Sequence, residues 1–297
     1  MGSPQRRARW YQPLLATFDR DVQFSPDGNK ETTAPDYDRR TAVRLQSEMA
    51  RKRRIDETRL ATGCSILVYA CAVFYAELFS NTMISLAKVL PLGLMLRLAL
   101  LLGDGRPYAW RIACGLTLSA IGDVCLEMEK AHTRLPLFLV GLGSFLGGHC
   151  AYIYAFFANP VELRPVSVLI PSLYSLCVFV AVLWPSLPSD MVVPVGAYVL
   201  VITLMMVAAL SRKPEGYASL WSFRCAATGA LLFAVSDTIL AYNRFVGVVP
   251  GAKVAIMSTY YLAQYAITMS ARGAQSRPLT RALGSVENQL ASKLKGT

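Results

Sequence analysis

Eight long apolar stretches follow one another along most of this chain, over roughly residues 62–80, 82–102, 109–128, 135–158, 165–183, 190–210, 221–245 and 252–272. Each is close to the ~20 residues that a helix needs to cross a hydrocarbon core about 30 Å thick. Short polar or Pro/Gly breaks divide them: Asn81, Gly103 to Pro107, Lys130 to Arg134, Asn159-Pro160, Pro185 to Pro188, and Arg212 to Pro214. Links this short suit antiparallel neighbours in a bundle. The first two stretches are the least sharply divided pair. No segment shows the alternation of a barrel strand. The pattern predicts an all-α, polytopic membrane protein, a bundle of eight transmembrane helices over 62–272, between a basic tail at 1–61 and a second tail at 273–297.

Composition sharpens this. Of 297 residues, 54% are apolar and 16% charged, whereas a soluble domain carries about a quarter charged residues. The charges crowd into the two tails, which supply much of the net +11. Arg39, Arg40, Arg44, Arg51, Lys52, Arg53, Arg54 and Arg59 precede the first apolar stretch. Basic runs also bind nucleic acid, but beside a spanning helix they read as a cytoplasmic anchor on anionic lipid. No nucleic-acid partner is expected, and the polar tail composition predicts disorder. With eight spans, Arg212, Lys213, Arg272, Arg277 and Arg281 share the side of the amino terminus. The opposite loops around Asn81 and Pro185 hold no Lys or Arg, although Lys130, Arg134 and Lys253 run against the rule. Both termini are predicted to be cytoplasmic. Lys293 and Lys295 near the carboxyl end resemble a dilysine retrieval signal, which predicts the endoplasmic reticulum.

Two segments match without a gap: Gly115-Leu-Thr-Leu-Ser-Ala-Ile-Gly-Asp123-Val-Cys-Leu126 and Gly229-Ala-Leu-Leu-Phe-Ala-Val-Ser-Asp237-Thr-Ile-Leu240. Each precedes a span with residues at similar places, Phe145 and His149 in one, Tyr260 and Gln264 in the other. This predicts two related four-helix halves, arranged as parallel repeats.

Within the spans, ionisable residues mark function. A carboxylate near the bilayer centre costs at least about 2.5–3.5 kcal/mol on insertion scales. Asp123 and Asp237 therefore need a reason; the plain alternative is a structural hydrogen bond to a neighbouring helix. Lys88, His149, Asn243, Tyr260 and Gln264 also interrupt apolar segments, while Glu77 and Glu127 lie near helix ends, within reach of water. With the amino terminus inside, Asp123 and Asp237 fall in the outward halves of the third and seventh helices. Lys88 and Tyr260 fall early in the second and eighth, and His149 and Gln264 lie deeper. At about 1.5 Å per residue, these groups are expected to converge in one cavity open toward the lumenal side.

Other chemistries lack support. No G-x-S-x-G elbow is present. His132 and His149 are the only histidines, so a three-histidine zinc site cannot be built. The seven cysteines form no C-x-x-C pair and read as small buried apolar residues. Gly143 and Gly147 read as close helix packing.

Taken in order, Lys88-Val-Leu-Pro91, Ser119 to Leu126, Phe138-Leu-Val-Gly141, Ser144 to Tyr152, Gly229 to Phe245 and Thr259 to Gln264 resemble the lysoplasmalogenase (YhhN) family of membrane hydrolases, over roughly residues 62–272. The long basic amino-terminal tail departs from the family pattern. The resemblance implies hydrolysis of the vinyl ether bond of lysoplasmalogens to a fatty aldehyde and glycerophosphoethanolamine or glycerophosphocholine. The residues fit that chemistry. Protonating the β-carbon of a vinyl ether gives an oxocarbenium ion that water captures, which calls for an acid and a carboxylate, as in glycosidases. Burial and a nearby second charge are what separate the roles of two carboxyl groups. Asp123 and Asp237 are expected to be this catalytic pair. Lys88 is expected to hold the phosphate or tune a carboxylate, and His149, Asn243, Tyr260 and Gln264 to position water and the glycerol portion. The scheme requires no metal or cofactor. The other class compatible with the residues is a transporter or lipid-handling protein using the aspartates for proton or cation coupling.

Overall fold

The computed structural model describes residues 34–74, 81–132, 135–214 and 216–272. Glu77, Arg134, most of the basic amino-terminal tail and the dilysine pair lie outside the described residues. Eight long helices follow: α1 (Ala34–Phe74), α2 (Asn81–Gly103), α3 (Pro107–His132), α4 (Leu135–Phe156), α5 (Pro165–Cys177), α6 (Ser189–Leu210), α7 (Tyr217–Phe245) and α8 (Ala252–Met269). Among the described residues there is no β-strand, only an isolated bridge between Val161 and Arg212.

Six of these helices are long and apolar enough to cross a membrane: Met83–Gly103, Pro107–Glu129, Pro136–Phe156, Pro165–Ser186, Ser189–Leu210 and Ser219–Phe245. The chain is thus an integral membrane protein. The first and last expected spans differ from this set. The 18-residue α8 carries Lys253, Ser258, Thr259, Gln264 and Thr268, polar positions that leave it less apolar than those six. The apolar stretch expected from residue 62 is the second part of a helix that begins at Ala34. The hydrophilic run before it is helical because it is rich in Arg and Ala, strong helix formers, and Arg53 bonds Glu57 one turn on at 2.8 Å.

Local sequence sets the ends. Pro107 and Pro165 open α3 and α5, where a missing N–H costs nothing. Asp104 and Gly105 turn the chain between α2 and α3 with φ of 55° and 72°. Beyond α5 the chain widens into a π turn, Val178–Leu183, and then a 3-10 turn, Trp184–Ser186. Pro185 has no N–H to continue the α-helical ladder, and the Trp184 N–H reaches back five residues to the Phe179 carbonyl.

Two hairpins, α3–α4 and α7–α8, are the most closely packed pairs. The first glycine of each repeat segment is why. A Cβ at Gly115 would overlap the Tyr152 ring, and one at Gly229 would lie 2.6 Å from Ile267 Cγ1 and 2.9 Å from the Ala263 carbonyl. Helix backbones approach this closely only where a side chain is missing. The cysteines, expected to be buried, are instead exposed (Cys64, Cys71, Cys114, Cys150, Cys177) or half-exposed (Cys125, Cys225). On membrane-spanning segments such positions face lipid, where a small apolar thiol needs no partner.

Candidate active site

The groups singled out above, joined by Tyr198 on α6, sit at comparable depth on helices that alternate in direction. Counting from one end of the bundle at about 1.5 Å per residue, Lys88, Asp123, Tyr198, Asp237 and Tyr260 lie about 10–14 Å in. His149 and Gln264 lie about 18–21 Å in by the same rise. A cavity of about 280 Å³ opens at that level, and Lys88, Asp123, Tyr198, Asp237, Asn243 and Tyr260 all border it. The rest of its wall is largely apolar, with Phe138, Leu142, Val178, Leu183, Val195 and Val199 among its residues. The π turn places Val178 and Leu183 there.

Asp123 is 3% exposed and Lys88 5%. Lys88 Nζ lies 2.9 Å from Asp123 Oδ1 and 3.6 Å from Glu127 Oε2. The other Asp123 oxygen accepts the Tyr260 hydroxyl at 2.7 Å. A carboxylate pulled from water needs such compensation, since an unpaired buried charge costs several kcal/mol. Tyr261, from the same helix as Tyr260, donates to the Lys88 carbonyl at 2.8 Å.

Asp237 has a different set. Its Oδ2 accepts the Tyr198 hydroxyl at 2.6 Å. His149 Nε2 lies 2.9 Å from that hydroxyl and 3.6 Å from the same carboxylate oxygen. With the phenol proton given to Asp237, the phenol oxygen accepts from His149, which places a proton on Nε2. Nδ1 of His149 has no hydrogen-bond partner among the described residues. The imidazole ring stands edge-on to Phe233, with centroids 4.7 Å apart.

Some expected residues stand elsewhere. His149 and Gln264 are both 0% exposed and do not border the cavity. His149 lies behind Tyr198, and the Gln264 carbonyl oxygen accepts the Tyr152 hydroxyl at 2.6 Å. His149 reaches the cavity only through Tyr198, and Tyr152, the partner of Gln264, is itself buried away from the cavity wall. Asn243 borders the cavity, but its Oδ1 accepts the Val249 N–H at 3.0 Å and braces the turn into α8. Tyr198 was missed by sequence reasoning because it sits alone in the apolar run of α6. The usable signal was the phenol itself, since a buried tyrosine hydroxyl needs a polar partner. At the polar end of the cavity Arg244 binds Glu129 at 3.1 Å and covers the Phe138 ring at 3.8 Å.

Residues 83–271 match the family model described as the YhhN family. The chain belongs to the YhhN family. Within it, the chain is 33% identical over 228 residues to the lysoplasmalogenase TMEM86B of Sus scrofa, covering 75% of this chain and 92% of that one. It is 39% identical over 166 residues to the lysoplasmalogenase TMEM86A of Bos taurus, covering 56% and 66% of the two chains. A lysoplasmalogenase of Mycobacterium tuberculosis is 31% identical over 170 residues, with coverage of 55% and 60%. No solved structure matches this YhhN-family chain.

Proposed function

We infer that this chain is a lysoplasmalogenase, an integral membrane hydrolase that cleaves the vinyl ether bond of lysoplasmalogens. The products are a fatty aldehyde and glycerophosphoethanolamine or glycerophosphocholine. The observation that carries the mechanism is that Asp123 and Asp237, one from each repeat segment, border the same largely apolar cavity. Relatives along the matched length carry the name lysoplasmalogenase.

Asp237 is assigned as the proton donor, because its nearest polar neighbours are a phenol and an imidazole, groups that hand protons on. Asp123 is assigned as the carboxylate, because the Lys88 ammonium at 2.9 Å balances its charge. The proton goes to the β-carbon of the vinyl ether and leaves an oxocarbenium ion. Water adds to the α-carbon and gives its proton to Asp123. The resulting hemiacetal then breaks its carbon–oxygen bond, releasing aldehyde and the glycerol hydroxyl. One water is consumed, and the proton taken up by Asp123 replaces the one lost by Asp237 through solvent. Two carboxylates hold Lys88, which favours tuning over phosphate binding. Arg244 and Lys253, both on the cavity wall, suit the phosphate better. Tyr198 and Tyr260 take over the contact with water expected of His149 and Gln264.

We further read α1 and α8 as the outer members of an eight-span bundle in the endoplasmic reticulum membrane with both termini cytoplasmic, the basic residues in the hydrophilic first part of α1 facing anionic lipid. Two four-helix halves, α1–α4 and α5–α8, then correspond, with the α3–α4 and α7–α8 hairpins as equivalents. The test is purified protein in nanodiscs given an alkenyl lysophosphoethanolamine, with fatty aldehyde read by mass spectrometry. Wild-type protein releases aldehyde, and Asp123→Asn and Asp237→Asn each lower the rate roughly 10²–10⁴-fold, the range for general acid–base groups. No aldehyde from wild-type protein would leave the proton-coupled transporter in its place.

A further inference from the structure

A second void of about 490 Å³ lies between α1 and α8. On α1 it is bordered by Arg59, Thr62, Gly63, Ile66, Ala70 and Val73, a spacing of three and four residues that defines one helix face. Val254, Ser258, Leu262 and Tyr265 present the matching face of α8. The two faces confront each other without closing. A Cβ built at Gly63 would meet no atom within 4 Å, and Ala70 is exposed. Contact is made at the Tyr69 and Tyr261 rings, edge to face with centroids 5.6 Å apart.

The groove adjoins the catalytic cavity. Tyr69, Lys253 and Met257 border both voids, so the groove ends where the cavity begins. From Arg59 to Val73 it runs about 21 Å by helical rise, longer than one leaflet, which is about half of a 30 Å core. The cavity alone, at about 280 Å³, falls just below the ~300 Å³ at which pockets begin to enclose drug-sized ligands. It has room for the polar part of a lysolipid and the first carbons of its chain, and the remainder of a long chain needs further apolar volume.

We propose that the groove between α1 and α8 holds the hydrocarbon chain of the single-chain lipid substrate, which enters sideways from the bilayer past Tyr69 and Met257. The chain lies against Ile66 and Leu262, and the vinyl ether at its head reaches the two aspartates. The proposal rests on the lysoplasmalogenase reading for the identity of the lipid, while occupancy of the groove is measurable without turnover.

Two measurements test it on the full-length protein in nanodiscs. The first uses a saturated alkyl ether lysolipid, which cannot be hydrolysed, carrying a diazirine midway along its chain. After illumination, mass spectrometry is expected to find the label on α1 and α8 peptides containing Ile66 and Leu262, and excess unlabelled analogue is expected to suppress it. Label confined to α5 and α6, or label that the competitor does not reduce because ordinary bilayer lipid fills the groove, overturns the proposal. The second fills the groove with Gly63→Phe or Ala70→Trp, neither residue belonging to the catalytic machinery. KM for a long-chain alkenyl lysolipid is expected to rise tenfold or more, with KM for a short-chain homologue changing less than twofold. Leu67→Trp, on the exposed side of α1, is expected to change neither. Equal effects on both chain lengths, or none, overturn the proposal. Absence of turnover by wild-type protein would refute the enzymatic reading alone, because the labelling pattern reports on the groove independently.

Discussion

Replacing Lys88 by Met keeps the apolar stem of the side chain and deletes its charge, which isolates what the ammonium does. In the structure it lies 2.9 Å from Asp123 and 3.6 Å from Glu127. Asp123 keeps the Tyr260 hydroxyl, in a place that water hardly reaches. Removing one member of a buried ion pair destabilises by about 3–5 kcal/mol, because the other charge stays buried without compensation. The Glu127 side chain is 18% exposed and reaches water more readily, so the low end, about 3 kcal/mol, is expected. The diagnostic variant is the double one. Lys88→Met with Asp123→Asn has no stranded Asp123 charge, so it should be more stable than Lys88→Met alone, with a coupling within the ~0.5–3 kcal/mol seen for contacting residues. Equilibrium unfolding in mixed micelles, run as a double-mutant cycle, measures this. A Lys88→Met protein as stable as wild type, or strictly additive single effects, would refute the reasoning.

Tyr260→Phe removes the hydrogen bond to Asp123 and keeps the ring packing against Phe145 and Phe233. At about 1.5–3 kcal/mol for a hydrogen bond to a charged group, aldehyde release should fall roughly 10- to 100-fold while circular dichroism stays unchanged. Gly229→Ala places a methyl group 2.6 Å from Ile267 Cγ1 and should cost about 1–3 kcal/mol by overpacking. Gly63→Ala, in open space, should stabilise slightly through helix propensity, by up to about 1 kcal/mol. Thermal unfolding of the two variants side by side checks the contrast.

The helical, membrane-embedded character of the chain was legible because hydrocarbon enforces it. About 20 apolar residues between short breaks have few other structures available. Asp123, Asp237, Lys88 and Tyr260 were legible for the same reason, since each is costly enough in a membrane to demand a partner. What the partner would be was not legible. The Tyr198 hydroxyl on Asp237 and the retreat of His149 and Gln264 from the cavity wall depend on which helix faces are turned inward, and a helix that is apolar all round does not reveal its inner face. Membrane spanning also reversed the usual rule for cysteine, which turned outward toward lipid. The helix that begins at Ala34 was hidden because its first half is hydrophilic, and hydropathy marks burial more than helicity.

The two aspartates of the matching segments have unlike neighbours. Under the proposed two-half reading, α2 corresponds to α6 and α4 to α8. Asp123 has one partner from the second helix of its own half, Lys88 on α2, and one from the fourth helix of the other half, Tyr260 on α8. Asp237 has Tyr198 on α6 and His149 on α4, the same two sources. The chemistry differs between the two: an ammonium and a phenol stand beside Asp123, a phenol and an imidazole beside Asp237. The ammonium is what separates a carboxylate from a proton donor in the proposed reaction, and its position can be tested. Tyr198→Lys would set an ammonium against Asp237, as Lys88 is set against Asp123. Tyr198→Phe merely deletes a hydrogen bond worth about 1.5–3 kcal/mol to a charged acceptor. Aldehyde release from the Lys variant should therefore fall well below that from the Phe variant, at matched folding by circular dichroism. A Lys variant as active as the Phe variant would show that the neighbour of Asp237 does not decide its role.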